Sequence, residues 1–183
     1  MKKYKPTSPG QRGMSVVTYK GKLTAKKPLK SLTKGKKRGS GRNSAGRITV
    51  RHKGGGHKQK YRAIDFTYQK QDVPAKLESI EYDPNRSAFI GVAVFADGER
   101  RYVVVPRNMK VGDTFETTAD AKIKTGNRLL VSNVPVGTFV YNVELKPLGG
   151  AKLARSAGNY IEVIAQDPEA KVTHLKMPSG EIR

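Results

Sequence analysis

Cysteine is absent from the 183 residues, which removes disulfides, thiolate metal sites, zinc ribbons and cysteine nucleophiles together. Tryptophan is also absent and aromatic residues make up only 7% of the chain. Either a modest β core stabilises the folded part, or some of its order arrives with a partner. No apolar run reaches the length that spans a bilayer, and the basic N-terminal portion has no amphipathic period and carries ten glycines, so no membrane partner is expected. The basic start Met1, Lys2, Lys3 leads into KPTSPGQRG and not into an apolar segment; no signal peptide is read, and cytoplasm is the expected compartment. No stretch reads as a helix longer than a turn or two, and there is no repeat at solenoid or propeller spacing.

The most consequential absence is of negative charge. Residues 1–62 hold 20 Lys and Arg and no Asp or Glu, whereas residues 63–183 hold the other 16 with all 15 acids. The net charge of +21 therefore divides into +20 for the first segment and +1 for the second. Such a stretch repels itself unless an outside polyanion neutralises it, which favours a nucleic-acid-binding arm over an ordinary floppy terminus.

From Met1 to about Gly46 the chain is punctuated by Gly, Pro, Ser and Lys, as in KKPLK and KGKKRGSGRNSAG, and only VVTY at 16–19 looks strand-like. This reads as extended chain and not as packed domain. Five strand candidates follow: YRAIDF (61–66), KLESIEYD (76–83), FIGVAVFA (89–96), RYVVVP (101–106) and DTFET (113–117). Asp97 and Gly98 suggest a two-residue hairpin turn. Five short strands of this kind suggest a small closed barrel of the oligonucleotide-binding type. After ADAKIKTGNR a second β set appears at TFVYNVELK (138–146), NYIEVIAQD (159–167) and KVTHLKM (171–177). Pro178, Ser179 and Gly180 then turn the chain into a strand that stops at EIR, so truncation or partial order is expected there.

Three stretches could carry chemistry. GRITVRHKGGGHKQKYR (46–62) combines Arg47, Arg51, Lys53, Lys58, Lys60 and Arg62 with His52, His57, Tyr61 and the glycines Gly54, Gly55 and Gly56. Glycine admits close approach to a phosphate, Arg forks onto phosphate or a base edge, and His or Tyr stacks on an unpaired base. An ordinary solvated linker turn remains an alternative. It is no Walker loop, because no Gly-Lys-Ser/Thr follows a strand. Two histidines without a nearby Cys or carboxylate make a poor metal site, so no metal and no cofactor are expected. EYDPNRSA (81–88) places Arg86 and Ser87 at the tip of a turn formed by Asp83, Pro84 and Asn85; the alternative is that Arg86 merely pairs with Asp83. LGGAKLARSAG (148–158) sets Lys152 and Arg155 among small residues that permit close approach to a phosphate ridge, with a long hairpin loop of accidental charge an equal reading.

No enzyme constellation is found. The histidines at 52, 57 and 174 have no Ser or Cys elbow and no evident orienting partner. The acids Asp65, Glu81, Asp83 and Glu144 read as turn formers or as partners of local Arg and Lys. A DNA regulator would need a recognition helix, which is lacking.

At GRITVRHKGGGHKQKYRAIDF, EYDPNRSA, DGERRYVVVP, IKTGNRL, PVGTFVYNVELKP and LARSAG the chain resembles the bacterial ribosomal protein L-2 family of the large subunit, in the family's motif order and nearly end to end. The resemblance implies a mainly β fold in three parts: an extended basic arm at 1–60, an oligonucleotide-binding-type (OB-fold) five-stranded barrel at 61–125, and a Src-homology-3-like small barrel at 126–183 that is incomplete at its C-terminus. It implies a structural protein that is an early, primary binder of large-subunit (23S-type) rRNA. It also implies contact with small-subunit rRNA at an intersubunit bridge and with neighbouring ribosomal proteins, association with tRNA binding, and support of the peptidyl-transferase centre. No homo-oligomer is expected. Carried over by motif, RNA contact is implied at Arg47, Arg51, His52, Gly54 through His57, Lys58, Tyr61, Arg62, Arg86, Ser87, Arg155 and Ser156; the basic residues Arg42, Lys53, Lys60 and Lys152 beside them are expected to contact RNA as well. Residues 18–38 match the family loosely, and Tyr141 stands where the family has His. The family's final third, with its His-containing tail, has no counterpart in this sequence.

Overall fold

The computed structural model describes residues 1–25, 27–36 and 39–183. Lys26, Lys37 and Arg38 of the basic arm lie outside the described residues. Among the described residues the regular structure is β, apart from two 3-10 turns at Lys30–Leu32 and Val131–Asn133. The first part comprises β1 (Lys2–Lys3), β2 (Ser15–Val16), β3 (Thr33–Gly35), β4 (Lys60–Arg62), β5 (Ala75–Glu81), β6 (Ile90–Phe95), β7 (Arg100–Val104) and β8 (Thr114–Phe115). The second comprises β9 (Phe139–Val140), β10 (Val143–Glu144), β11 (Ala151–Leu153), β12 (Ile161–Asp167) and β13 (Val172–Lys176).

The oligonucleotide-binding-type barrel is built on an antiparallel sheet in the order β7-β6-β5-β8. Period-two alternation sends Ala93, Phe95 and Val103 inward with Ala75, Leu77, Met109 and Phe115, all buried. A bulge in β5 between Leu77 and Ser79 coils the sheet, and Gly91 sits beneath the bend, where a Cβ would overlap the side chains of Leu77 and Val105. The 95–99 hairpin differs from the expected two-residue turn. Phe95 N–H donates to Glu99 at 2.9 Å and Gly98 N–H to Phe95 at 2.9 Å, and Gly98, with φ 84°, is the left-handed residue while Asp97 is not. A type I turn with a glycine bulge has replaced the two-residue form. YRAIDF forms no continuous strand either: β4 stops at Arg62, and closure is left to a parallel bridge between Ile64 and Tyr102, beside which Asp65 N–H donates to Tyr102 at 2.9 Å.

The opposite parity of the same strands places Ile90, Val92 and Tyr102 on the outer face of this sheet. That face is covered by Leu29, Leu32 and Ile64. The expectation that the chain to Gly46 is unpacked is thus corrected for its middle. β3 pairs with β4, and Ala63 N–H donates to Leu32 at 2.9 Å. Thr24 exchanges hydrogen bonds with Ile80, and the Tyr19 ring lies 5.3 Å from Tyr82 and 6.1 Å from Phe89. Lysines flanking Leu29 and Leu32 hide these apolar residues in a sequence reading, yet the outer face of β6 and β7 would be wet without them. Residues 29–35 thus form a strap across the sheet, and it is keyed by a hydrogen-bond relay. Leu29 N–H donates to the Tyr102 hydroxyl at 2.7 Å, and that hydroxyl donates to Glu81 at 2.7 Å. Burial and the bond to Glu81 push the Tyr102 phenol pKa up. Tyr102→Phe leaves the Leu29 N–H and the Glu81 carboxylate without this partner, at an expected loss of about 1–3 kcal/mol in urea denaturation and faster amide exchange at Leu29. Unchanged exchange would show that apolar contact alone holds the strap.

The Src-homology-3-like barrel combines a sheet in the order β13-β12-β9 with the β10–β11 hairpin around buried Val134, Val143, Ala151, Ile161 and Val163. TFVYNVELK is not one strand, because Asn142, with φ 57°, breaks it into β9 and β10. Within LGGAKLARSAG, expected as a loop, residues 151–153 form β11. The turn at Pro178–Gly180 does return the chain along β13, with Leu175 and Arg183 exchanging backbone bonds at 2.7 and 3.0 Å.

Candidate RNA-binding surface

The basic loop is shaped by backbone hydrogen bonds. The Gly41 carbonyl accepts from the N–H groups of Thr49 and Val50 at 2.7 and 3.1 Å and from the Thr49 hydroxyl at 3.2 Å. Gly41 has φ 66°, and a Cβ there would overlap the Val50 carbonyl, so only glycine fits this pinch. Asn43 accepts from the Arg47 N–H at 2.9 Å and closes the inner turn. The loop so formed carries Arg42 and Arg47 and continues through Arg51, His52, Lys53, Gly54, Gly55 and Gly56, every residue from 42 to 58 being exposed. His57 Nδ1 lies 2.9 Å from the Lys58 carbonyl, which can only accept, so the ring carries a proton there. Lys60 and Tyr61 are exposed, with the Lys36 ammonium 6.0 Å from the Tyr61 ring centre. Among the described residues every ion pair joins groups beyond residue 63, and none involves a Lys or Arg of the arm. Unneutralised cations on an ordered loop suit phosphate capture.

Arg62 departs from the expectation. It is 8% exposed, turned into the body with Nη1 donating to the Lys60 carbonyl at 2.9 Å, so its guanidinium is not presented to a ligand. Strand parity decides this: on β4 Tyr61 points outward and its neighbour Arg62 inward.

The three stretches of the sequence reading meet in space. Asn85 donates through Nδ2 to the Lys60 carbonyl at 2.9 Å, latching EYDPNRSA to the end of the basic loop. Ser87 accepts from the Ala157 N–H at 3.1 Å, latching it to LARSAG. Between them stands Phe66, with the Arg86 guanidinium 5.4 Å and the Arg155 guanidinium 4.8 Å from its ring centre. Two arginines from two barrels thus share one aromatic ring. Lys152 and Ser156, on the same stretch as Arg155, are exposed.

The two arginines differ in their partners. Arg86 Nε pairs with Asp83 at 2.6 Å, as the alternative reading of that turn had it, and Asp83 is fully buried. Burial alone would raise the Asp83 pKa, but hydrogen bonds from Arg86 and from the backbone and side chain of Asn85 hold it below the usual range. Arg155 is exposed, with no carboxylate partner among the described residues. Phe66 itself is set by Asp65, whose carboxylate accepts from the Thr67 and Tyr68 N–H groups at 3.0 and 2.9 Å and from Arg101 at 2.8 Å. Asp65 and Asp83 are therefore turn formers and partners of local Arg, and Glu144 pairs with Arg128 at 2.7 Å, all as expected. Glu81 instead serves the strap. Phe66 was not singled out by the sequence, and Asn85 only as a turn former. The available signal was the Asp65-x-Thr67 spacing of an Asx turn, which presents the residue between them.

Residues 29–117 match the family described as "Ribosomal Proteins L2, RNA binding N-terminal domain", and residues 124–183 match "Ribosomal Proteins L2, C-terminal domain". The chain belongs to the ribosomal protein L2 family. It is accordingly an RNA-binding structural constituent of the ribosome, and of the large subunit. The first match begins at Leu29, the residue at which the strap docks onto the barrel through Tyr102.

Proposed function

We propose that this chain is a primary binder of large-subunit, 23S-type rRNA, which it grips with the basic loop and with the seam between its barrels. Phosphates are neutralised by Arg42, Arg47, Arg51, Lys53, Lys58 and Lys60. His52, His57 and Tyr61 meet unpaired bases, and Gly54 to Gly56 admit close approach of the RNA backbone. Arg155, Ser156, Lys152, Ser87 and the Phe66-stacked Arg86 form the second half of the surface. The division of labour is an arm, a first barrel at 61–125 to which the strap at 29–35 is added, and a second barrel at 126–183. In the assembled particle, in the cytoplasm, this grip supports the bridge to small-subunit rRNA, contact with neighbouring ribosomal proteins, tRNA binding and the architecture around the peptidyl-transferase centre. The role is architectural and not enzymatic, and it calls for neither a membrane nor self-association.

The observation that carries this reading is the convergence of Arg86 and Arg155 on Phe66, where the end of the acid-free loop is tied in through Asn85 and Lys60. Because Arg155 has no ion-pair partner among the described residues, Arg155→Ala removes a contact to RNA at the cost, within the fold, of its exposed stacking on Phe66 and of no ion pair. Binding to large-subunit rRNA, measured by filter retention at physiological salt, is expected to weaken by roughly 1–3 kcal/mol with an unchanged unfolding midpoint. Undiminished binding would remove the seam from the RNA surface.

A further inference from the structure

Asn142 is 4% exposed, yet it belongs to no strand and holds φ 57°, a conformation that asparagine tolerates better than most residues. Its groups reach both barrels. Nδ2 donates to the Tyr68 hydroxyl at 2.9 Å, and Tyr68 stands two residues beyond Phe66. Its backbone N–H donates to the Ala154 carbonyl at 3.2 Å, one residue before Arg155. Its carbonyl accepts from Arg128 at 3.4 Å, and the Arg128 guanidinium stacks 4.5 Å from the Tyr68 ring centre. Arg128 in turn pairs with Glu144, which accepts from the Gly150 N–H at 3.1 Å. The next residue, Ala151, donates to the Phe66 carbonyl at 2.8 Å. Burial pushes the Tyr68 phenol pKa up to about 12, so the hydroxyl that accepts from Asn142 stays neutral at physiological pH.

We propose that Asn142 is a positioning residue for RNA binding: it joins the segment bearing Phe66 to the loop bearing Arg155, and so sets the spacing at which Arg86 and Arg155 meet RNA phosphates. The inference rests on the RNA reading of the seam. Each barrel has its own buried residues and does not need this bond to close; together with the Ala151–Phe66 and Ala157–Ser87 bonds it sets the position of one relative to the other. With only the Ala157–Ser87 bond between their loops, the two long arginines would explore more relative placements, and ordering them on contact with RNA would weaken binding.

The test uses the full chain and large-subunit rRNA, with affinity and salt slope measured for Asn142→Gly, Tyr68→Phe, Arg155→Ala and their pairs. Glycine keeps the positive φ while removing the amide, and Phe keeps the ring under Arg128 while removing the hydroxyl. Asn142→Gly and Tyr68→Phe are each expected to weaken binding roughly three- to tenfold, and the pair no more than the larger single effect. In the Arg155→Ala background Asn142→Gly should add less than about twofold. Asn142→Asp removes the Nδ2 donor, but the Tyr68 hydroxyl can turn from acceptor to donor toward the carboxylate, so binding should stay within about twofold of the parent. If Arg155→Ala weakens binding while Tyr68→Phe and Asn142→Gly do not, or if their penalties add to that of Arg155→Ala, the positioning role is refuted and the RNA reading stands. If Arg155→Ala binds like the parent chain, the RNA reading of the seam falls and the positioning role with it. Should Asn142→Gly fail to fold, Tyr68→Phe decides.

Discussion

Replacing Arg42, Arg47, Arg51 and Lys53 together with Gln lowers affinity for large-subunit rRNA on the order of 10²-fold at about 0.15 M salt. Each phosphate neutralised by a side chain contributes about 0.7–0.9 to the slope of log affinity against log salt, so four lost contacts flatten that slope by about 3. The four residues are exposed, have no carboxylate partner among the described residues, and sit on or just beyond a loop pinched at Gly41 by backbone bonds. Their removal should therefore leave the barrels intact, and the unfolding midpoint is expected to stay where it was. A salt titration of both proteins decides the matter. A slope unchanged by the four substitutions would mean that these cations face solvent in the complex and that affinity resides in the body.

Asp83→Ala is the substitution expected to cost most in stability, about 3–5 kcal/mol. Its carboxylate is fully buried and accepts from Arg86 Nε at 2.6 Å and from the N–H and Nδ2 of Asn85 at 2.9 Å each. Truncation leaves the mostly buried Arg86 guanidinium without its counter-ion, and a lone buried charge costs more than the pair was worth. It also frees Asn85 from the posture that reaches the Lys60 carbonyl, so RNA binding should fall in the fraction that remains folded. The same chemistry sets an acid limit. Asp65 and Asp83 both titrate below the ordinary aspartate range, in each case because hydrogen bonds, including one from Arg, outweigh the opposing effect of burial. A carboxylate with a depressed folded pKa contributes stability that is present above its unfolded value and lost as pH falls through the folded one. Stability should thus decline below about pH 4, and Asp83→Ala should show a shallower decline. Equal acid slopes for parent and variant in urea denaturation would show that Asp83 is not depressed by its partners.

Local readings succeeded where one segment's chemistry decides the outcome. The strand cores of β5, β6, β7, β12 and β13 follow from runs of β-branched residues, and the DPN and PSG turns from their own backbone preferences. They failed where a distant surface decides. Leu29 and Leu32 read as spacers in a lysine-rich arm until the outer face of β6 and β7 requires a cover. Asn142 reads as a strand residue until the junction of the two barrels requires a bend there. Arg62 shares the composition of its neighbours, but pairing with β3 turns it inward.

By itself the sequence determined the partner class and the place of greatest charge, because 20 cations without a carboxylate demand a polyanion in any conformation. It also determined the family, through motifs whose residue types and order are properties of the chain alone. Only the tertiary structure decided which cations stand free, which is buried and which pair with acid. It alone brought residues 60, 66, 86 and 155 to one surface. The physical reason is that charge adds along a chain regardless of shape, whereas the spacing of two guanidiniums over one ring depends on contacts between segments far apart in sequence.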